Sequence, residues 1–186
     1  MGTPSNPQPS ALIVSIISAG TDPDARSTAF SMIENAFGKG VAWPSSLPFD
    51  KTDYYATEMG SVLIRDLWLA DDLFDRSLLA GIKIKTNEME KLLSRNDGTR
   101  RINLDPGFMT AENFILATTK NYSHRVFLMN GIFADLTLIF KKGEFHPLEW
   151  TYPDYSGPEI RNILRTWRTG YIARLKQSDP GGKKGF

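Results

Sequence analysis

Between Ala11 and Ser18 the chain reads Leu12-Ile13-Val14-Ser15-Ile16-Ile17, an apolar run with a single small polar residue in it. A run this short has strand length, and without polar alternation it has to be covered on both faces. This segment therefore predicts a central strand, and the rest of the chain must supply its cover. Asp22-Pro23-Asp24 follows at once, placing a cap, a first-turn proline and an acid where a helix would begin. Phe30, Ile33 and Phe37 share one face of that helix, and Gly38 can end it.

Further elements follow from the same signals. Val41 to Leu47 and Ser61 to Leu69 read as strands, and about Asp75–Ser94 as a second helix with Leu78, Ile82, Met89 and Leu93 at helical spacing. Arg101–Asp105 is expected to be a strand stopped by Pro106-Gly107, and Phe114–Thr119 another. Val126–Met129 and Ile132–Phe140 flank Asn130-Gly131, a strong hairpin signal, and Lys141-Lys142-Gly143-Glu144 is a further turn. Ser156-Gly157-Pro158-Glu159 has capping-box spacing and opens a last helix striped by Ile160, Ile163, Leu164, Trp167 and Tyr171. The predicted class is α+β: an antiparallel or mixed sheet with a ferredoxin-like β-α-β-β-α-β opening, an added β-meander and a C-terminal helix. Helices are expected on one face of the sheet.

The chain has 186 residues, which suits one domain over residues 11–176 between polar tails at 1–10 and 177–186. Lys and Arg number 22 against 21 Asp and Glu, so there is no basic surplus of the kind that holds nucleic acid, and none is expected as a partner. The absence of cysteine excludes disulfides, thiolate metal sites and cysteine nucleophiles. No stretch reaches the roughly 18 apolar residues of a membrane span, and no signal-peptide pattern opens the chain, so the expectation is a cytoplasmic protein.

Phosphate-loop, dinucleotide-fold and nucleophile-elbow signatures are all missing, and with only His124 and His146 an all-histidine zinc site is excluded. What stands out is five segments dense in polar and aromatic residues: Leu47–Tyr55 with Glu58-Met59-Gly60, Lys83–Asn87 with Glu90, Arg101–Gly107, Lys120–Arg125, and Trp150–Tyr155. In content and order these segments resemble the conserved blocks of the bacterial domain-of-unknown-function family 4416, over about Ala11 to Lys176. Phe108 and Phe133 depart from it, standing where a tyrosine is expected. The resemblance brings no activity with it.

The residues themselves say more. Lys83, Asn87 and Glu90 form one stripe on the second helix, either a solvated ladder or one wall of a site. Strand alternation sends Arg101, Asn103 and Asp105 to one face, which is either wet or a site, and Asp105 has the alternative role of capping a turn. Lys120 to Arg125 places two cations and His124 in six residues. Arg125 offers a fork and Lys120 a point charge to a phosphate or carboxylate. His124 is the natural proton carrier, its alternative being a structural histidine. Asp50, Asp53 and Glu58 supply carboxylates for which Mg²⁺ is a candidate. Trp150, Tyr152 and Tyr155 either stack on a planar ligand or close a core, with Asp154 among them.

Together these residues predict a polar cleft for a small anionic or phosphorylated ligand. Lys83, Asn87, Glu90, Arg101, Asn103, Lys120, Arg125, Tyr152 and Asp154 would bind it, and His124, Asp53 and Asp105 would do any chemistry. The alternative is a non-catalytic protein-interaction or homodimerisation module, whose hot spots draw on the same aromatic and arginine residues.

Overall fold

The computed structural model describes residues 2–52 and 54–178. Nine strands form one sheet: β1 (Ser10–Ala19), β2 (Gly40–Ala42), β3 (Leu47–Pro48), β4 (Leu63–Phe74), β5 (Ile102–Met109), β6 (Asn113–Thr118), β7 (Arg125–Met129), β8 (Ile132–Lys141) and β9 (Glu144–Pro147). The helices are α1 (Pro23–Phe37), α2 (Ala56–Met59), α3 (Leu79–Leu93), α4 (Pro153–Ser156) and α5 (Pro158–Ser178). The strand order is β2-β4-β1-β5-β6-β8-β7, with β3 paired to β4 and β9 to β8. Every pairing is antiparallel, so the class is α+β.

β1 lies inside the sheet between β4 and β5, and its alternate residues feed two cores. Leu12, Val14 and Ile16 pack with Ala25, Ala29 and Ile33 of α1 and with Ala80, Ile82 and Met89 of α3. Ala11 and Ile13 pack on the other face against Ile160, Ile163, Leu164 and Tyr171 of α5. Helices therefore cover both faces, not one. The reason is β1 itself: Leu12, Ile13, Val14, Ile16 and Ile17 are each at most 1% exposed. Burying a side chain of this size is worth about 1.5–3 kcal/mol, and leaving one face wet would forfeit half of that gain.

Other departures have equally local causes. The strand expected over Val41–Leu47 is split into β2 and β3, because Pro44-Ser45-Ser46 leaves the ladder. β5 runs straight through Pro106-Gly107, pairing Pro106 with Val14 of β1. Arg101 precedes β5 and is no part of its alternation. The Asn130-Gly131 hairpin is present with both residues at positive φ, 51° and 75°, as a two-residue turn between twisted strands requires. Of the expected tails, Met1 and residues 179–186 lie outside the described residues, while Ser10 already belongs to β1 and α5 continues to Ser178.

One irregularity sets up everything that follows. β5 pairs with β1 along its whole length, from Ile102 to Met109, but with β6 only over Gly107 to Met109. Beyond Gly107 the two strands diverge, and the sheet opens into a wedge.

Candidate functional site

The wedge is a cleft of about 700 Å³, lined by β5, β6, α3 and the segments that carry Tyr54, Arg100 and Asp154. Its floor is the unpaired edge of β5. Leu104 turns its backbone toward the missing strand, and α3 supplies the partners: Lys83 Nζ donates to the Leu104 carbonyl at 2.8 Å, and Glu90 Oε1 accepts from the Leu104 N–H at 2.6 Å. Two residues on, Pro106 points the same way by strand parity, so its absent N–H falls where no ladder exists. That is why a proline is tolerated inside β5. Lys83 also donates to Asp105 at 3.2 Å, and Asn103 Nδ2 to the other Asp105 oxygen at 2.6 Å.

Burial raises the Glu90 carboxyl to about 7, against the pull of the Lys83 charge and the Leu104 N–H. The floor thus holds a carboxyl that exchanges its proton near neutrality. Burial likewise pushes the Tyr55 hydroxyl far up, whereas the hydrogen bond from Lys120 lowers that of Tyr54.

One wall is built on Arg65, whose side chain is 3% exposed. Its guanidinium lies between the Phe49 and Tyr155 rings, 4.9 and 4.6 Å from their centroids, and pairs with Asp154. Nε and Nη1 of Arg65 have no acceptor among the described residues. Buried N–H groups are nearly always satisfied, so a guanidinium with two idle donors beside a cavity calls for a partner.

The opposite wall is the β6–β7 connection. Asp135 is buried and accepts from Arg125 Nε at 2.9 Å and His124 Nε2 at 3.3 Å. Arg125 also donates to the Lys120 carbonyl at 3.0 Å and the Tyr152 hydroxyl at 2.6 Å. The His124 ring stacks on Trp150, 4.9 Å away and tilted by 9°. At the rim Lys120 donates to the Tyr54 hydroxyl at 2.8 Å and lies 4.2 Å from the centroid of its ring.

The expected site residues divide accordingly. Lys83, Asn87, Glu90, Asn103, Asp105, Lys120, Tyr152 and Asp154 line the cleft. Arg125 and His124 stand behind it, bound to Asp135, and Arg125 has no fork left to offer. Arg101 faces elsewhere: its Nε and Nη2 grip the carboxylate of Asp22 at 2.8 and 2.7 Å, at the start of α1. Asp53 lies outside the described residues. Asp50 is exposed beside Lys51 and Glu58 is taken by Arg100, so the segment expected to hold Mg²⁺ keeps no free carboxylate set among the described residues. No group of three or more His, Cys, Asp or Glu side chains placed to hold a metal occurs among the described residues.

Arg65 and Asp135 were not anticipated. Each is a buried charge in the middle of a mainly apolar strand, Arg65 beside Asp66 in Leu63-Ile-Arg-Asp-Leu-Trp-Leu69 and Asp135 in Ile132-Phe-Ala-Asp-Leu-Thr-Leu138, and that interruption was the available signal. The lining cations Lys51, Arg65, Lys83, Lys91, Arg100 and Lys120 outnumber the carboxylates Glu90, Asp105, Asp135 and Asp154. No helix among the described residues is long and apolar enough to cross a membrane.

Comparison with known proteins finds no match among curated proteins and none among solved structures. A family model, the domain of unknown function DUF4416, matches residues 8–171 and so spans every segment that lines the cleft. The chain belongs to the DUF4416 family.

Proposed function

We propose that the cleft binds a small anionic molecule, phosphorylated or carboxylated, with Lys120 and Lys91 meeting it at the rim and Arg65 supplying the inner donors. The observation that carries this reading is Arg65: a buried guanidinium in the lining of a cavity of metabolite size, with two N–H groups that lack an acceptor among the described residues. The Lys91 ammonium has no carboxylate within ion-pair reach among the described residues, and Lys120 has only a tyrosine hydroxyl, so both can turn to a ligand. Asn87, which makes no side-chain hydrogen bond among the described residues, adds a neutral donor and acceptor. Glu90 fits a proton-transfer role better than His124, because His124 is stacked on Trp150 and tied to Asp135, whereas Glu90 reaches the cavity. Asp105 would orient the ligand through its link to Lys83. We also read the β2-β4-β1-β5 order, with α1 and α3 on one face, as the ferredoxin-like arrangement.

The test is the melting temperature in a panel of inorganic phosphate, sugar phosphates, mononucleotides and dicarboxylates. A ligand at 100 times its dissociation constant adds about 2.7 kcal/mol, or roughly 5–10 °C for a chain of this size. At least one member should give such a shift, and Lys120→Ala should cut it sharply without lowering the melting temperature of the free protein. A flat response across the panel, or an identical shift in the variant, would rule the reading out.

A further inference from the structure

The charges that line the cleft are not spread evenly from its floor to its mouth. The buried cations are paired: Arg65 with Asp154, and Lys83 with Asp105 at 3.2 Å. Asp135 is matched by Arg125 at 2.9 Å, and Glu90, with its carboxyl near 7, carries only part of a charge at neutrality. Arg100 is held by Glu58 at 2.6 Å and Lys51 by Asp50 at 3.3 Å. Among the described residues, the lining cations left without a carboxylate are Lys91 and Lys120, and both are exposed. α3 spans this gradient. Lys83, Asn87 and Lys91 share one face and climb about 6 Å per step, from a buried residue through a half-buried one to an exposed one.

An anionic group is therefore matched at the mouth and opposed further in, where it would sit beside Asp105 and Asp154 with no unpaired cation among the described residues to balance it. The inner part offers hydrogen bonds instead of net charge: the Asn87 amide, the Arg65 N–H groups and the partly exposed Asp105 carboxylate. Donors and acceptors side by side suit hydroxyl groups, which do both. A planar base would need an aromatic face to stack on, and each aromatic ring in the lining already has a cation over it. Arg65 faces Phe49 and Tyr155, Arg100 faces Tyr55, Lys120 faces Tyr54 and Arg125 faces Tyr152.

We propose that the ligand is a sugar phosphate, a phosphomonoester of a polyhydroxylated body, bound with its phosphate outward on Lys91 and Lys120 and its hydroxyl groups inward on Asn87, Asp105 and Arg65. This rests on the reading of the cleft as an anion site, and adds the class of anion and its direction.

Calorimetric titration of the full chain with ribose 5-phosphate, fructose 6-phosphate and glucose 6-phosphate tests it, beside inorganic phosphate, succinate and uridine monophosphate. At least one sugar phosphate should bind ~10-fold or more tightly than each of the other three compounds, the worth of a few added hydrogen bonds. Asn87→Ala should weaken that sugar phosphate by roughly 5- to 10-fold without changing how its affinity depends on salt, because a neutral contact is lost. Lys91→Gln should weaken it comparably and also flatten the salt dependence, because a charge contact is lost. Neither exchange should lower the melting temperature of the free protein, since neither side chain has a polar partner among the described residues. Inorganic phosphate, succinate or uridine monophosphate binding as tightly as the best sugar phosphate would overturn the proposal and leave the cleft an anion site. So would an Asn87→Ala variant that binds like the wild type, or a Lys91→Gln variant with an unchanged salt dependence. If none of these compounds binds, the anion site itself fails, and the sugar phosphate with it.

Discussion

Lys83 and Glu90 hold the backbone of a single residue, Leu104, from its two sides: the ammonium donates to the carbonyl at 2.8 Å and the carboxyl accepts from the N–H at 2.6 Å. Two side chains of α3 do there what a neighbouring strand does elsewhere in the sheet. This lets β6 leave β5 without stranding buried polar groups, and the space it vacates is the cleft.

The two residues are accordingly structural as well as site-forming, and they should differ in how replaceable they are. Lys83→Met leaves the Leu104 carbonyl and Asp105 without their donor and should cost about 2–4 kcal/mol. Glu90→Gln keeps an acceptor for the Leu104 N–H and should cost less than about 1 kcal/mol. Urea unfolding of both variants measures the difference. Equal losses would mean that the bracket around Leu104 is not what these side chains do for the fold.

Glu90 also makes stability depend on pH in a definite direction. Its carboxyl titrates near 7 in the fold against an ordinary value of 4.5. The folded state therefore holds the proton more tightly than the unfolded chain. The stability this confers is complete below about pH 4.5 and is lost as pH rises through 7, a fall of up to about 3 kcal/mol. Urea midpoints of the wild type should decline across that interval more steeply than those of Glu90→Gln. Parallel profiles would place the Glu90 carboxyl back in the ordinary range.

Arg101 serves as the counterexample within the same segment. Its fork on Asp22 ties the start of β5 to the cap of α1, where Asp22 also accepts from the Ala25 N–H at 3.2 Å. The Arg101 hydrogen bonds hold the Asp22 carboxyl below the usual carboxylate range, so their contribution is lost as pH falls through that lowered value. Arg101→Ala should cost about 1 kcal/mol, the modest worth of a partly exposed pair, and leave any anion-induced melting shift intact. Loss of that shift in Arg101→Ala would move the binding site to the α1 side of the sheet.

How far this arrangement could be read from the chain alone depends on the range of the interaction. The β1 run, the α1 cap, the Asn130-Gly131 turn and the α3 stripe of Lys83, Asn87 and Glu90 are legible because each is set by neighbours within a few residues. Helices on both faces were implied by β1 yet not drawn from it. Arg101 and Asp105 looked equivalent by strand alternation, and only the actual start of β5 at Ile102 separates them. The divergence of β5 from β6 has no local signature except Pro106, which reads as a stop and is in fact tolerated because the ladder is open there. Arg65 acquires meaning only when Asp154 is brought to it from a distant part of the chain, and Asp135 only when the register of the β7–β8 hairpin sets His124 and Arg125 against it.

The most direct measurement is the side-chain Nε–H resonance of Arg65 in arginine-labelled protein, assigned with Arg65→Lys, with and without the anion that gives the largest melting shift. The Arg65 signal should move on addition of the anion and become protected from exchange, while the Arg101 signal, already committed to Asp22, stays where it was. An Arg65 resonance unchanged at saturating anion, or a displacement at Arg101 instead, would contradict the cleft as the binding site.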